Sequence, residues 1–170
     1  MQHIDFRHDL LPLKDKLFRL ALRILSSRDE AEDIVQDTLL KVWLRRESLS
    51  EVENIEAFCL TACRNLSLDR LEKKETRNLS LETQEIDTED RAPTPHQQLE
   101  ADERRERVKQ IFDSLPERQR TALQLCDIEE KSYREVADIM QTTEANVKVI
   151  IHRARQAVRK QYEAIDNYGL

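Results

Sequence analysis

The residues best equipped for chemistry sit near one end of the chain, in "SYREVADIMQTTEANVKVIIHRAR" (132–155). Lys148, Val149, His152 and Arg153 fall at spacings that bring them to one face of a helix, with Arg155 beside them. Two bases, an imidazole and a small apolar side chain suit base edges in a major groove, while further arginines suit phosphate. Ser132 and Thr143 stand where helices begin, and backbone N–H groups there also bind phosphate. No nucleophile–base pair and no glycine loop for phosphate accompanies them, so the chemistry is recognition and not catalysis. Cys59 and Cys63, spaced i, i+4, would be half a metal site, but no CxxC pair or nearby His completes it. With Cys126 they read as reduced packing residues, and neither metal nor cofactor is expected.

Such a face needs two helices at a fixed angle. Ser132 and Glu135 form a capping box that opens "YREVADIM", and Thr142 or Thr143 can cap the helix that follows. With Ala137 as the small contact residue, Val136 and Met140 face inward from the first helix, and Val147 and Ile150 from the second. Gln141 takes the turn position where glycine is common, at a cost of about 1 kcal/mol. The pattern is that of a helix–turn–helix. On spacing alone, two packed helices with a solvated basic surface remain the alternative.

The chain as a whole is acidic, 34 Asp+Glu against 28 Lys+Arg, net −6. That charge is local. Between Ser80 and Glu103 eight acids and one base sum to −7, whereas Thr143 to Gln161 sums to +4. The acidic strip contains Pro93 and Pro95, which forbid a continuous helix, and has few large apolar residues. It predicts a flexible acidic linker over 78–103, least structured over 78–97, between domains at 1–77 and 104–170. Gly169 is the only glycine among 170 residues, so the two-residue hairpins of a sheet have no turn residue to use. The expectation is an all-α chain of two small helical domains, the C-terminal one holding the helix–turn–helix. No apolar run approaches the ~20 residues of a membrane span. The N-terminal "MQHIDFRHDLLPLKDK" has no basic and apolar signal pattern, so a cytoplasmic location is expected.

In the first domain, Leu10, Leu13, Leu17, Leu20, Ala21 and Ile24 form one helical stripe. Ser27 and Glu30 predict a second capping box, opening "DEAEDIVQDTLLKVW". That helix turns Ala31, Ile34, Val35, Leu39 and Val42 inward and Asp29, Glu32, Asp33, Gln36 and Asp37 outward. A polar loop (45–54) leads to "IEAFCLTACRNLSLDRLEKKE". Ser114 and Glu117, bracketing Pro116, predict a third box in the second domain.

In order and spacing, "DEAEDIVQDTLLKVW", "AFCLTACRNLSLDRLEKK", "LPERQRTALQL" and the helix–turn–helix together resemble the extracytoplasmic-function (ECF) group of bacterial sigma factors. The likeness runs from about Leu10 to Gln161. It implies a subunit that binds core RNA polymerase and directs initiation at promoters. It further implies that Asp33, Gln36, Asp37 and Leu40 dock on the clamp helices of the largest subunit. Phe58, Arg64, Asn65, Asp69 and Arg70 match the part that captures the minus-10 element, where a base leaves the stack. Ser132, Thr143, Lys148, Val149, His152, Arg153 and Arg155 match the minus-35 reader. Core polymerase, promoter DNA and, as in many members, an anti-sigma factor are the implied partners, without membrane insertion. The acidic linker would suit a basic polymerase channel. Cys59, Thr61, Cys63, Asn146 and Val149 depart from commoner residues, which leaves promoter preference open. A stand-alone helix–turn–helix repressor or activator and a helical scaffold are the rival readings. Binding to core polymerase separates the first from both.

Overall fold

The computed structural model describes residues 3–81 and 96–167, and gives the burial of 3–77 and 101–164. Every regular element among them is helical. Asp5 opens the fold by accepting from the N–H groups of Arg7 (2.8 Å) and His8 (3.2 Å). A π turn (Phe6–Leu10) and a 3-10 turn (Leu11–Leu13) follow, and bring Leu10 into the core. Helix α1 (Lys14–Leu25) buries Leu17, Leu20, Ala21 and Ile24, the expected stripe. It stops because Ser26 turns left-handed (φ 55°) and donates to Leu22 O at 2.8 Å.

Helix α2 (Arg28–Leu44) has Ser27 as its N-cap, accepting from Glu30 N at 3.4 Å. The expected box is only half made, since Glu30 faces Lys74 of the next helix at 2.5 Å. Thr38 is fully buried on α2, and donating to Ile34 O (2.7 Å) satisfies its hydroxyl. Asn54 accepts from Ala57 N (3.0 Å) and starts α3 (Ile55–Leu81). Here α3 buries Cys59, Leu60, Ala62, Cys63 and Ser67 between its neighbours.

The second group holds α4 (His96–Asp113), α5 (Glu117–Leu123) continued by a π turn (Gln124–Ile128), α6 (Tyr133–Met140) and α7 (Glu144–Asn167). The box expected at Ser114 and Glu117 does not form. Ser114 donates to Ile111 O (2.5 Å), closing α4 behind it, and Pro116 precedes α5 with no side-chain cap. Glu117 instead accepts from Thr121 (2.7 Å).

Helix also enters both ends of the segment read as linker, since α3 continues to Leu81 and α4 begins at His96. Residues 82–95, where flexibility and a polymerase channel were expected to matter, lie outside the described residues. Nor do the described halves stand apart as two bodies. A single buried cluster runs from Leu10 and Leu20 through Leu60 to Leu125, Val136 and Ile151. In it α1 meets α2, α3 and α5, and α3 meets α6.

Candidate nucleic-acid interface

The helix–turn–helix is built from caps. Ser132 Oγ accepts from Glu135 N (3.2 Å), while Glu135 Oε2 accepts from Ser132 N (3.0 Å), so two otherwise unpaired donors are answered. α6 then buries Val136, Ala137, Ile139 and Met140. The turn is left-handed at Gln141 (φ 56°), as its position predicts, and Thr142 N donates to Ala137 O (2.9 Å). Thr143 caps α7 by accepting from Asn146 N (3.1 Å), and Asn146 donates its amide to Thr142 Oγ1 (2.8 Å). Thr142 and Asn146 are thus partners across the turn.

α7 buries Val147, Ile151 and Ala154. Ile150, expected inward, is only half-buried. It lines a groove with Asn146 and Arg153 against the residues that open α5, Pro116 to Gln119. Opposite the buried stripe Lys148, Val149, His152 and Arg153 are exposed, Val149 by 45%. No hydrogen bond or ion pair among the described residues holds Lys148, His152 or Arg153. Arg155 differs, because Asp127 takes it at 2.6 Å and that bond keeps the guanidinium more firmly protonated than usual. It is therefore held by protein where a phosphate ligand was expected. The hydroxyls of Ser132 and Thr143 are likewise occupied as caps.

The first group presents a mixed picture. Asp33, Gln36, Asp37 and Leu40 form an exposed ridge on α2, with Leu40 55% exposed. Leu44, 71% exposed, extends that ridge, and a Leu four residues beyond Leu40 is a signal the sequence carried. Past it, Phe6 meets Trp43 edge-on (centroids 5.6 Å apart) and Arg46 lies 4.1 Å over the same ring. On α3, Asn65 and Asp69 are exposed and Phe58 is half-buried. Arg70 lies 3.9 Å from Asp33 and 4.0 Å from Asp37, so a base assigned to one interface faces acids assigned to another. Arg64 is buried against the second group, unlike what a free DNA contact requires. Cys59 and Cys63 are buried free thiols, each pushed up to about 12 by burial, which leaves neither as a ready thiolate. No cluster among the described residues could hold a metal, and no described helix is long and apolar enough to cross a membrane.

The model of sigma-70 region 2 matches residues 12–77, and that of sigma-70 region 4 matches 105–158. The chain is 30% identical to the ECF RNA polymerase sigma factor SigW of Bacillus subtilis, over 87% of this chain and 83% of that one. It is 28% identical to the RNA polymerase sigma-H factor of Pseudomonas aeruginosa, over 92% and 86%. The solved Bartonella quintana sigma factor RpoE, in complex with the anti-sigma factor NepR, superposes with a TM-score of 0.77. That match has 26% identity and covers 94% of this chain and 97% of that one. Two capped helical groups, one ending in a bare basic helix, together with these likenesses, place the chain in the ECF family of sigma-70-type RNA polymerase sigma factors.

Proposed function

We propose a division of labour within this sigma factor. The α2 ridge of Asp33, Gln36, Asp37 and Leu40 docks on the clamp helices of the polymerase's largest subunit, where carboxylates around an apolar centre complement a basic partner. On α3, Phe58, Asn65, Asp69 and Arg70, with Arg64, hold the minus-10 element once a base is turned out. On α7, Lys148, Val149, His152 and Arg153 read the minus-35 element in the major groove, with Ser132 and Thr143 marking helix starts that face phosphate. Arg155 joins only if Asp127 releases it. The domains follow as 1–77 and 104–170 with 78–103 between them. The protein works in the cytoplasm without catalysis of its own, and an anti-sigma factor is a further partner.

One observation carries this reading: Lys148, His152 and Arg153 in the exposed row on α7 have no partner in the chain among the described residues, whereas Arg155 on the same helix is paired with Asp127. Its net-acidic context is no obstacle. A sigma factor held on polymerase beside its promoter gains effective concentration and needs only a local positive face.

The test is transcription in vitro with purified core polymerase over a promoter library, alongside competition with a housekeeping sigma for core. Promoter-dependent transcripts absent with core alone, together with displacement of the competitor, are expected. Tight operator binding without core, and no competition, would instead identify a stand-alone regulator.

A further inference from the structure

The groove between α5 and α7 holds a polar atom that the fold leaves unanswered. Residues 116–119 form one wall, and Asn146, Ile150 and Arg153 of α7 form the other, around about 340 Å³. Gln119, on the α5 wall, is half-buried. Its Oε1 is shut from solvent, yet no hydrogen bond reaches it among the described residues. A buried acceptor without a donor is costly, and few occur in folded proteins. Water cannot reach this one, so its donor must be a side chain beside it.

Of the polar side chains that share the groove, all but one are accounted for. Asn146 gives its amide to Thr142 Oγ1 at 2.8 Å. Glu117, an acceptor when ionised, belongs to the seam between the halves: it lies 3.6 Å from Arg64 of α3 and accepts from Thr121 at 2.7 Å. Arg118 is next to Gln119 on α5, and consecutive side chains diverge around a helix instead of facing each other. That leaves Arg153. It comes across from α7, is exposed, and makes no hydrogen bond or ion pair among the described residues. A guanidinium carries five N–H donors in a flat fork. Two of them suffice for paired acceptors on a base edge, so another is available to the protein. A side chain that reads a base must be held within about 0.5 Å of its working pose, and a hydrogen bond behind it does this.

We propose that Gln119 is the positioning residue for Arg153: its Oε1 accepts one guanidinium N–H and fixes the plane in which the others meet the minus-35 base. The inference rests on the reading of α7 above and deepens it. It also gives α5, which lies ahead of the helix–turn–helix, a part in reading the promoter.

The test follows base preference at the minus-35 element, in transcription by the full chain on core polymerase over the promoter library. The variants are Gln119→Met, which keeps the volume without the acceptor, Gln119→Glu, which keeps an acceptor, Arg153→Ala, and Gln119→Met combined with Arg153→Ala. Arg153→Ala should relax preference at its base pair by about fivefold or more. Gln119→Met should relax the same position by about threefold or more. Its melting temperature should equal or exceed the parent's, because an unanswered acceptor is gone. In the Arg153→Ala background, Gln119→Met should add less than about twofold. Gln119→Glu should keep the parent's preference. Preference kept in Gln119→Met overturns the proposal, as does a loss that recurs undiminished in the Arg153→Ala background. A Gln119→Met protein that melts lower and loses every promoter equally marks a structural side chain and overturns it too, as does lost preference in Gln119→Glu. If Arg153→Ala relaxes no base at all, the reading of α7 has failed, and the positioning role falls with it.

Discussion

Helices α3 and α7 are the longest among the described residues, 27 and 24 residues, and each carries basic side chains proposed above to meet one promoter element. Their surroundings differ. α7 meets the protein along a narrow stripe of Val147, Ile151 and Ala154, leaving its basic row bare. α3 is pressed by α1 and α2 on one side and α6 on another, so Arg64 is enclosed and Arg70 answered by Asp33 and Asp37. Side-chain type endows a helix with its chemistry. Packing decides how much of that chemistry is free at a given moment.

The largest expected effect tests the ridge that α3 leans on. Reversing Asp33→Lys and Asp37→Lys places like charges against a basic partner, which costs several kcal/mol, so core affinity should fall about a hundredfold or more in competition assays. Retained affinity would move the docking surface elsewhere. Arg153→Ala comes next. It should cost about 1–3 kcal/mol in minus-35 recognition while core affinity and melting temperature hold. Arg64→Ala, in the same assays, should shift the melting temperature as well, because Glu117 loses its cation. Were both variants equally silent in melting, the contrast between bare and enclosed helices would vanish.

A smaller effect concerns the turn that aims α7. Gln141 holds φ 56°, and Gln141→Gly should raise stability by about 1 kcal/mol in thermal unfolding, with DNA recognition kept. The smallest is acid sensitivity at the seam. Burial alone would raise the Glu56 carboxyl, but hydrogen bonds from Lys131 and Lys16 bring it below its ordinary 4.5. A carboxylate depressed on folding contributes fully above its unfolded value and loses that contribution as pH falls through the folded one. Compactness should therefore hold from pH 9 to 6 and weaken below about pH 4.5. Glu56→Gln should flatten that profile when scattering is followed against pH.

What could be read from the residues was local. The α1 stripe, the Ser132–Glu135 box, the left-handed Gln141 and the exposed row on α7 all depend on neighbours within a turn or two. The misses came from competition or distance. Ser114 was drawn to α4, and Glu30 to Lys74. Ile150 and Ile151 are adjacent and equally apolar, so only packing against α5 and α6 could decide that Ile151 turns inward. Asp127 for Arg155, and Glu117 for Arg64, sit 28 and 53 positions away, beyond what periodicity can foresee. For the same reason the seam between the halves left no trace in the pattern of either.

The stack of Phe6, Trp43 and Arg46 at the end of the α2 ridge has a practical consequence. Trp43 is the only tryptophan in the chain, so the protein's indole emission arises wholly from the place where polymerase is expected to land. Its wavelength and quenching become a label-free optical gauge of that encounter, recorded in the unmodified molecule and in real time.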